Sequence, residues 1–230
     1  MDTINLLDKL KQKPVFRIED VQKITGKKRG YSTLIIHRLK KRGLIKKITE
    51  NRYTAMDSIH VIASNLIYPS YISFWSASAF LGYTEQIPSI IQVAVTRKHN
   101  SVEFEGYKIK FIKLSKKEFF GYKKIITDDG PIFISESEKL IIDALNKQKE
   151  CGNLEEIEKI IKNANIDTNK LVNYLKLAGK QANVKRTGFM LEKLKNIDIS
   201  SEFKLNRNYV ILNQFSKKWN IINAKWRVKL

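Results

Sequence analysis

Between Asp57 and Glu85 the chain carries no Asp, Glu, Lys or Arg. Charged residues make up 29% of the whole, so a gap of this length means a segment withdrawn from water. It can lie in a bilayer or in a protein core. The length is enough to cross a bilayer. Pro69 interrupts it, however, and Ser58, His60, Ser64, Asn65, Ser70, Ser73, Ser76 and Ser78 scatter through it. So many polar side chains are costly in hydrocarbon. The segment therefore reads as two short buried helices separated at Tyr68-Pro69, and no membrane span is expected.

The rest of the composition agrees with a globular chain. Apolar residues reach 43% of the 230, enough to build a core, and the length suits one or two domains. Cys151 is the single cysteine, which excludes an internal disulfide and a multi-cysteine zinc site. Met1-Asp2-Thr3 opens an amphipathic segment without an apolar signal core, so a cytoplasmic protein is expected.

Lys and Arg number 43 against 23 Asp and Glu, a net charge of +20. A polyanion is the partner this favours. The surplus is unevenly placed. Residues 1–56 hold 15 basic and 5 acidic residues, residues 57–130 hold 9 and 7, and residues 131–230 hold 19 and 11. Half of the excess thus lies in the first quarter of the chain, and most of the remainder follows residue 180.

That first quarter has a readable order. Thr3 can cap a helix with apolar positions Ile4, Leu6, Leu7 and Leu10, which Pro14 ends. Val15, Phe16 and Ile18 form an extended link, and Val21 and Ile24 mark a short second helix over about 19–25. Thr25 to Gly30 is a turn in which two glycines bracket Lys27, Lys28 and Arg29. A third helix over about 31–42 has its core face on Ile35, Ile36 and Leu39, with Gly43 as its stop. Residues 44–48 and 52–55 read as strands joined by a tight turn at Glu50-Asn51.

Helix, helix, helix, hairpin is the order of a winged helix-turn-helix. In that module the third helix enters the major groove of DNA. The expected contacts are Tyr31, Ser32 and Thr33 near its start and His37, Arg38 and Lys41 beside Leu34 on its outer face. Lys27, Lys28 and Arg29 are placed to reach phosphates, and Arg52 in the wing to touch the backbone or enter a minor groove. A winged helix used for protein contact is the alternative, its cations then forming a solvated face.

The remainder alternates strand and helix signals. Strands are expected at 90–97, 102–104, 107–114, 119–127 and 132–134, and helices from Ser135 to Leu145, over 154–161, after Asp167, and around Phe189 to Leu194. Residues 209–212 and 226–229 close the chain as strands. The fold class is α+β. Residues 1–56 form the winged helix and 57–230 a second domain, with helices and a small sheet over 57–135 and a helical lobe with closing strands over 136–230. Lys180, Lys185, Arg186 and Lys193 are candidates for a second basic face, since Arg186 and Lys193 are seven apart on a helix.

Nothing in the chain composes a catalytic centre. His37, His60 and His99 lack ligand spacing, His60 reads as a core residue, and Cys151 has no neighbouring base. There is no phosphate-binding glycine loop and no Gly-x-Ser-x-Gly. Asp128-Asp129 before Gly130-Pro131 is ordinary turn chemistry. Glu103, Glu105 and Lys108 have the residue types of a nuclease site but the wrong spacing. Tyr68, Tyr71, Phe74 and Trp75 read as core aromatics. No enzymatic activity, cofactor or metal is expected.

Several short elements resemble the AbiEi antitoxin family, transcriptional regulators of viral defence systems. They are Leu39-Lys40-Lys41-Arg42-Gly43-Leu44-Ile45 with the wing Arg52-Tyr53-Thr54-Ala55, where Asn51 stands in place of a glycine. They are also Tyr68 to Ala77 with Leu81 to Pro88, Arg186 to Glu192, and Trp226-Arg227-Val228. The resemblance implies a winged helix that binds inverted repeats in double-stranded DNA of its own promoter; palindromic repeats spaced by about one DNA turn would favour a dimer on that DNA. It implies a C-terminal domain that counters a nucleotidyltransferase-like toxin without necessarily touching it.

Overall fold

The computed structural model describes residues 3–86, 88–216 and 219–230. Met1 and Asp2 of the N-terminal segment, and Ile87 of the element at 81–88, lie outside the described residues. The chain is α+β. It runs α1 (Thr3–Lys11), α2 (Ile18–Thr25), α3 (Arg29–Lys41), β1 (Lys46–Thr49), β2 (Arg52–Thr54), α4 (Ile59–Asn65), β3 (Ser70–Ile72), α5 (Phe74–Phe80), β4 (Ile90–Val95), β5 (Val102–Phe104), β6 (Tyr107–Lys113), β7 (Tyr122–Thr127) and β8 (Gly130–Ser135). It continues with α6 (Ser137–Asn146), α7 (Leu154–Asn163), α8 (Thr168–Ala178), α9 (Gln181–Lys195), β9 (Val210–Ile211), β10 (Ile222–Asn223) and β11 (Val228–Lys229). Among the described residues no helix is long and apolar enough to cross a membrane.

The charge-free stretch is mostly buried, with two departures from expectation: Tyr68, read as a core aromatic, is exposed because it stands at the turn between α4 and the next element, and a strand intervenes between the two helices. Residues 70–72 form β3 between α4 and α5. Pro69 cannot donate into a helix, and Tyr71 and Ile72 are strand formers. All three residues of β3 are buried, flanked by β4 antiparallel and β8 parallel. A central strand buried on both faces has no alternation to read. Likewise α9 begins at Gln181, well before Phe189, because Asn183, Lys185 and Thr187 on its early turns are buried polar residues that break the apolar pattern. Residues 116–118 form a capped 3-10 turn, in which the Ser115 hydroxyl donates to Glu118 at 2.6 Å, so the strand expected from 119 starts at Tyr122.

Two compact units divide the chain. The first comprises the described residues of Met1–Ile72, Ser89–Lys113 and Lys124–Ile134. The boundary drawn at residue 56 falls inside it. Ile48 of β1 is buried with Ile59, Ile62, Ile91, Phe104 and Ile109, and the Lys46 ammonium pairs with Glu105 at 3.2 Å and Asp57 at 2.9 Å. Charge distribution marks where cations are, not where packing ends. The sheet of this unit has the order β5-β6-β4-β3-β8-β7.

The second unit comprises the described residues of Ser73–Pro88 and Ser135–Leu230, together with Leu114–Lys123. Its centre is α6, buried from Glu138 through Leu145. There the Lys139 ammonium pairs with Asp143 one turn on, and the Ser73 hydroxyl donates to the other Asp143 oxygen at 2.9 Å. Cys151 is buried beside this group, and burial together with the charges of Asp143 and Glu150 pushes its thiol well up, away from reactivity. Asp167 caps α8, accepting from the Lys170 amide at 3.1 Å.

Two elements read separately in the sequence meet in this unit. Gly188 lies against the Trp226 ring, and the Trp226 indole N–H donates to Glu192. A Cβ on Gly188 would stand 2.2 Å from a ring carbon of this fully buried tryptophan. Gly188→Ala is therefore expected to destabilise the protein by about 1–3 kcal/mol or more, the range for an overpacked core. A lowered urea midpoint with little change in m-value would record this.

Candidate nucleic-acid interface

The first three helices close on Leu6, Leu10, Phe16, Val21, Ile36, Leu39 and Ile45. Phe16 in the link pairs with Tyr53 of β2 through two backbone hydrogen bonds of 2.9 Å, and their rings stack at 6.2 Å. The hairpin is thereby fixed to the helices. Gly26, at φ +67°, ends α2 in the left-handed conformation that lets the chain turn into α3.

On α3 the buried residues are Ser32, Ile36 and Leu39, with Ile35 half-buried. Leu34, His37 and Lys41 lie opposite and are exposed. Tyr31 and Arg38 flank them on one side, Thr33 and Lys40 on the other, and all four are exposed. Among the described residues Lys28, Arg38, Lys40 and Lys41 form no ion pair. The first turn of α3 holds no acidic residue, so its positive dipole end and Lys28 add to one another. The Lys27 ammonium lies over the Tyr31 ring, 5.9 Å from its centroid. Arg38 and Arg42, one turn apart, line with Lys27 and Tyr31 a cleft of about 370 Å³ on the flank of the helix. Arg42 was not among the expected contacts, although its place in the run Lys40-Lys41-Arg42 marks it.

One carboxylate orients these parts. Glu19, in the first turn of α2, accepts from the Arg29 guanidinium at 2.7 Å and from the Asn51 side chain at 3.1 Å. Asn51 in turn accepts the Ile18 amide at 3.1 Å. It takes φ +53°, the left-handed angle that the glycine-like position requires. Helix α2, the start of α3 and the wing turn thus share one anchor. Its own backbone amide, then Arg29 and Asn51, hold the Glu19 carboxyl down at about 2. Arg29 belongs to α3 and is occupied in this pair.

Several expected contacts are placed differently. Ser32 is fully buried on the core side of α3, so it is not presented to a ligand. Arg52 is half-buried and does not project from the hairpin tip, which is Glu50-Asn51. It lines a cleft with Arg17 and Arg97. The four residues of the second basic face do not make one. Lys185 is fully buried, its ammonium donating to the Asn206 carbonyl at 3.1 Å, the Asn206 side chain at 2.6 Å and the Asn208 carbonyl. Arg186 donates to the Ile211 carbonyl at 2.8 Å. Lys180 pairs with Glu118 at 2.6 Å and Lys193 with Glu158 at 2.8 Å. Helical spacing put Arg186 and Lys193 on one side, but at Arg186 that side meets β9. Elsewhere, His60 is half-buried and its pKa lowered by burial, while Asp128 and Asp129 are exposed in the β7–β8 turn. Among the described residues no group of three His, Cys, Asp or Glu is placed to hold a metal ion.

No protein-family model matches the chain, and no curated protein matches it. Among solved structures, the crystal structure of the RV2827C protein from Mycobacterium tuberculosis is similar, with a TM-score of 0.66 at 10% identity, over 97% of this chain and 89% of that one. The likeness is one of fold.

The Glu19 anchor makes a pH prediction. A carboxyl lowered from 4.5 to about 2 contributes stability that is present above its unfolded pKa and lost as pH falls through its folded one. Wild type is expected to lose stability relative to Glu19→Gln between about pH 5 and pH 2, as read by urea unfolding at each pH. Parallel profiles for the two proteins would contradict the anchor.

Proposed function

We propose that the chain is a DNA-binding transcriptional regulator that reads its site with the outer face of α3. The observation that carries this reading is that face itself: Arg38, Lys40 and Lys41 unpaired among the described residues, beside His37 and Thr33, on a helix held by an ion pair at one end. A helix fits the major groove, and guanidinium and ammonium groups there reach base edges and phosphates. Lys28 and the start of α3 favour a backbone phosphate. The resemblance to AbiEi antitoxins supports the same reading and extends it to inverted repeats upstream of the chain's own gene; repeats spaced by about one DNA turn would favour two copies. Countering a nucleotidyltransferase-like toxin is the part of the proposal that rests on the resemblance alone. A protein-contact role draws on Tyr31 and Leu34, which are 49% and 41% exposed on or beside the same face.

Salt separates the two. Binding of a duplex from the gene's upstream region, followed by fluorescence anisotropy, is expected to weaken about 10³-fold or more between about 50 and 200 mM salt if six or more phosphates are contacted. Arg38→Ala with Lys41→Ala is expected to weaken it at least about tenfold, and each lost phosphate contact lowers the salt slope by about 1. Lys180→Ala with Lys193→Ala, both already paired, is expected to leave affinity within about twofold. Full affinity in the Arg38, Lys41 variant would favour the protein-contact reading.

A further inference from the structure

A cleft of about 550 Å³ in the first unit is lined by Arg17, Arg52, Arg97, His99 and Tyr68, with Asp20 as its carboxylate. These residues come from the link before α2, the wing strand β2, the turn after α4 and the segment after β4. Among the described residues none of the three arginines forms an ion pair. Asp20 does not balance them: it accepts from the Lys13 ammonium and, at 2.8 Å, from the Arg17 amide. Arg52 is partly buried, and burial followed by the charge of Arg17 lowers its pKa. Arg17 and Arg97 are exposed, and like charges lining one concavity repel, which a counter-anion relieves.

The shape of the donors narrows the anion. Guanidinium groups present planar forks that match phosphate oxygens in bidentate pairs. Beside them Tyr68 is 83% exposed, its ring supported edge-on by Phe133 at 6.5 Å. An exposed, braced aromatic is a stacking platform, and the volume suits a small-molecule ligand. We propose that this cleft binds a nucleotide, its phosphate held by Arg17, Arg52 and Arg97 and its base stacked on Tyr68. The nucleotide is either free in solution or part of a bound nucleic-acid strand. The proposal does not depend on the α3 reading.

The test uses the full chain and backbone amide NMR with ADP, pyrophosphate and adenosine, in the absence of metal. ADP and pyrophosphate are expected to shift the amides of residues 17, 52 and 97 saturably, and adenosine is not. Arg97→Gln, at an exposed position outside the packed core, and Arg52→Gln are each expected to weaken ADP at least about tenfold. Arg38→Ala with Lys41→Ala leaves it unchanged. Tyr68→Ala is expected to weaken ADP but not pyrophosphate. If neither free ligand binds while Arg52→Gln and Arg97→Gln each weaken duplex or single-stranded DNA and lower its salt slope by about 1, the phosphate belongs to the nucleic acid. No binding of free ligand together with unchanged DNA binding overturns the proposal. So does ADP binding that both arginine variants retain in full, and unchanged ADP affinity in Tyr68→Ala overturns the stacking contact.

Discussion

Ile45 and Ile48 lie three residues apart and enter different hydrophobic cores. Ile45 closes the core of the first three helices, and Ile48 joins the core formed with α4 and the large sheet. Burying an isoleucine side chain is worth about 1.5–3 kcal/mol, so one short segment contributes to two cores at once. The placement of the hairpin follows from this. Phe16 and Tyr53 then register β2 against the link, and the turn at Asn51 falls where Glu19 can hold it. The outward face of α3 is a consequence of the same packing, since Ile36 and Leu39 are drawn inward.

Much of this unit was legible in the sequence because its elements are amphipathic and locally determined. The helical spacing of Ile35, Ile36 and Leu39 gave the core side of α3, and Asn51 gave the turn. Less legible was whatever depends on burial of polar groups or on contacts far apart in the chain. Ser32 looks like a surface hydroxyl in sequence but sits on the inner side of α3. The Arg17, Arg52 and Arg97 cleft joins residues up to eighty positions apart, with no local pattern to announce them. Strand β3, buried on both sides, has no period of two. The first turns of α9 were hidden for a related reason: their inward positions are Asn183, Lys185 and Thr187.

The basic surplus likewise divides into different physical roles. On α3, Arg38, Lys40 and Lys41 are exposed and unpaired among the described residues, while Arg29 is held by Glu19. In the second unit many are matched to acids: Lys176 to Glu202, Lys193 to Glu158, and Lys225 to both Glu192 and Asp198. Exposed pairs of this kind contribute little stability each, but they neutralise one another toward a distant polyanion. Net charge by itself therefore overstates the surface available to nucleic acid, and the location of unpaired cations is the more informative quantity.

Lys185 carries that point to its limit. Its ammonium is enclosed by the oxygens of Asn206 and Asn208, and burial together with Arg227 lowers its pKa. Carbonyl oxygens converging on a positive centre are the coordination shell of a bound metal cation, here filled by a side chain. The segment after α9 is organised around an ion that the polypeptide supplies itself. That charge is covalently part of the chain, so chelation cannot remove it.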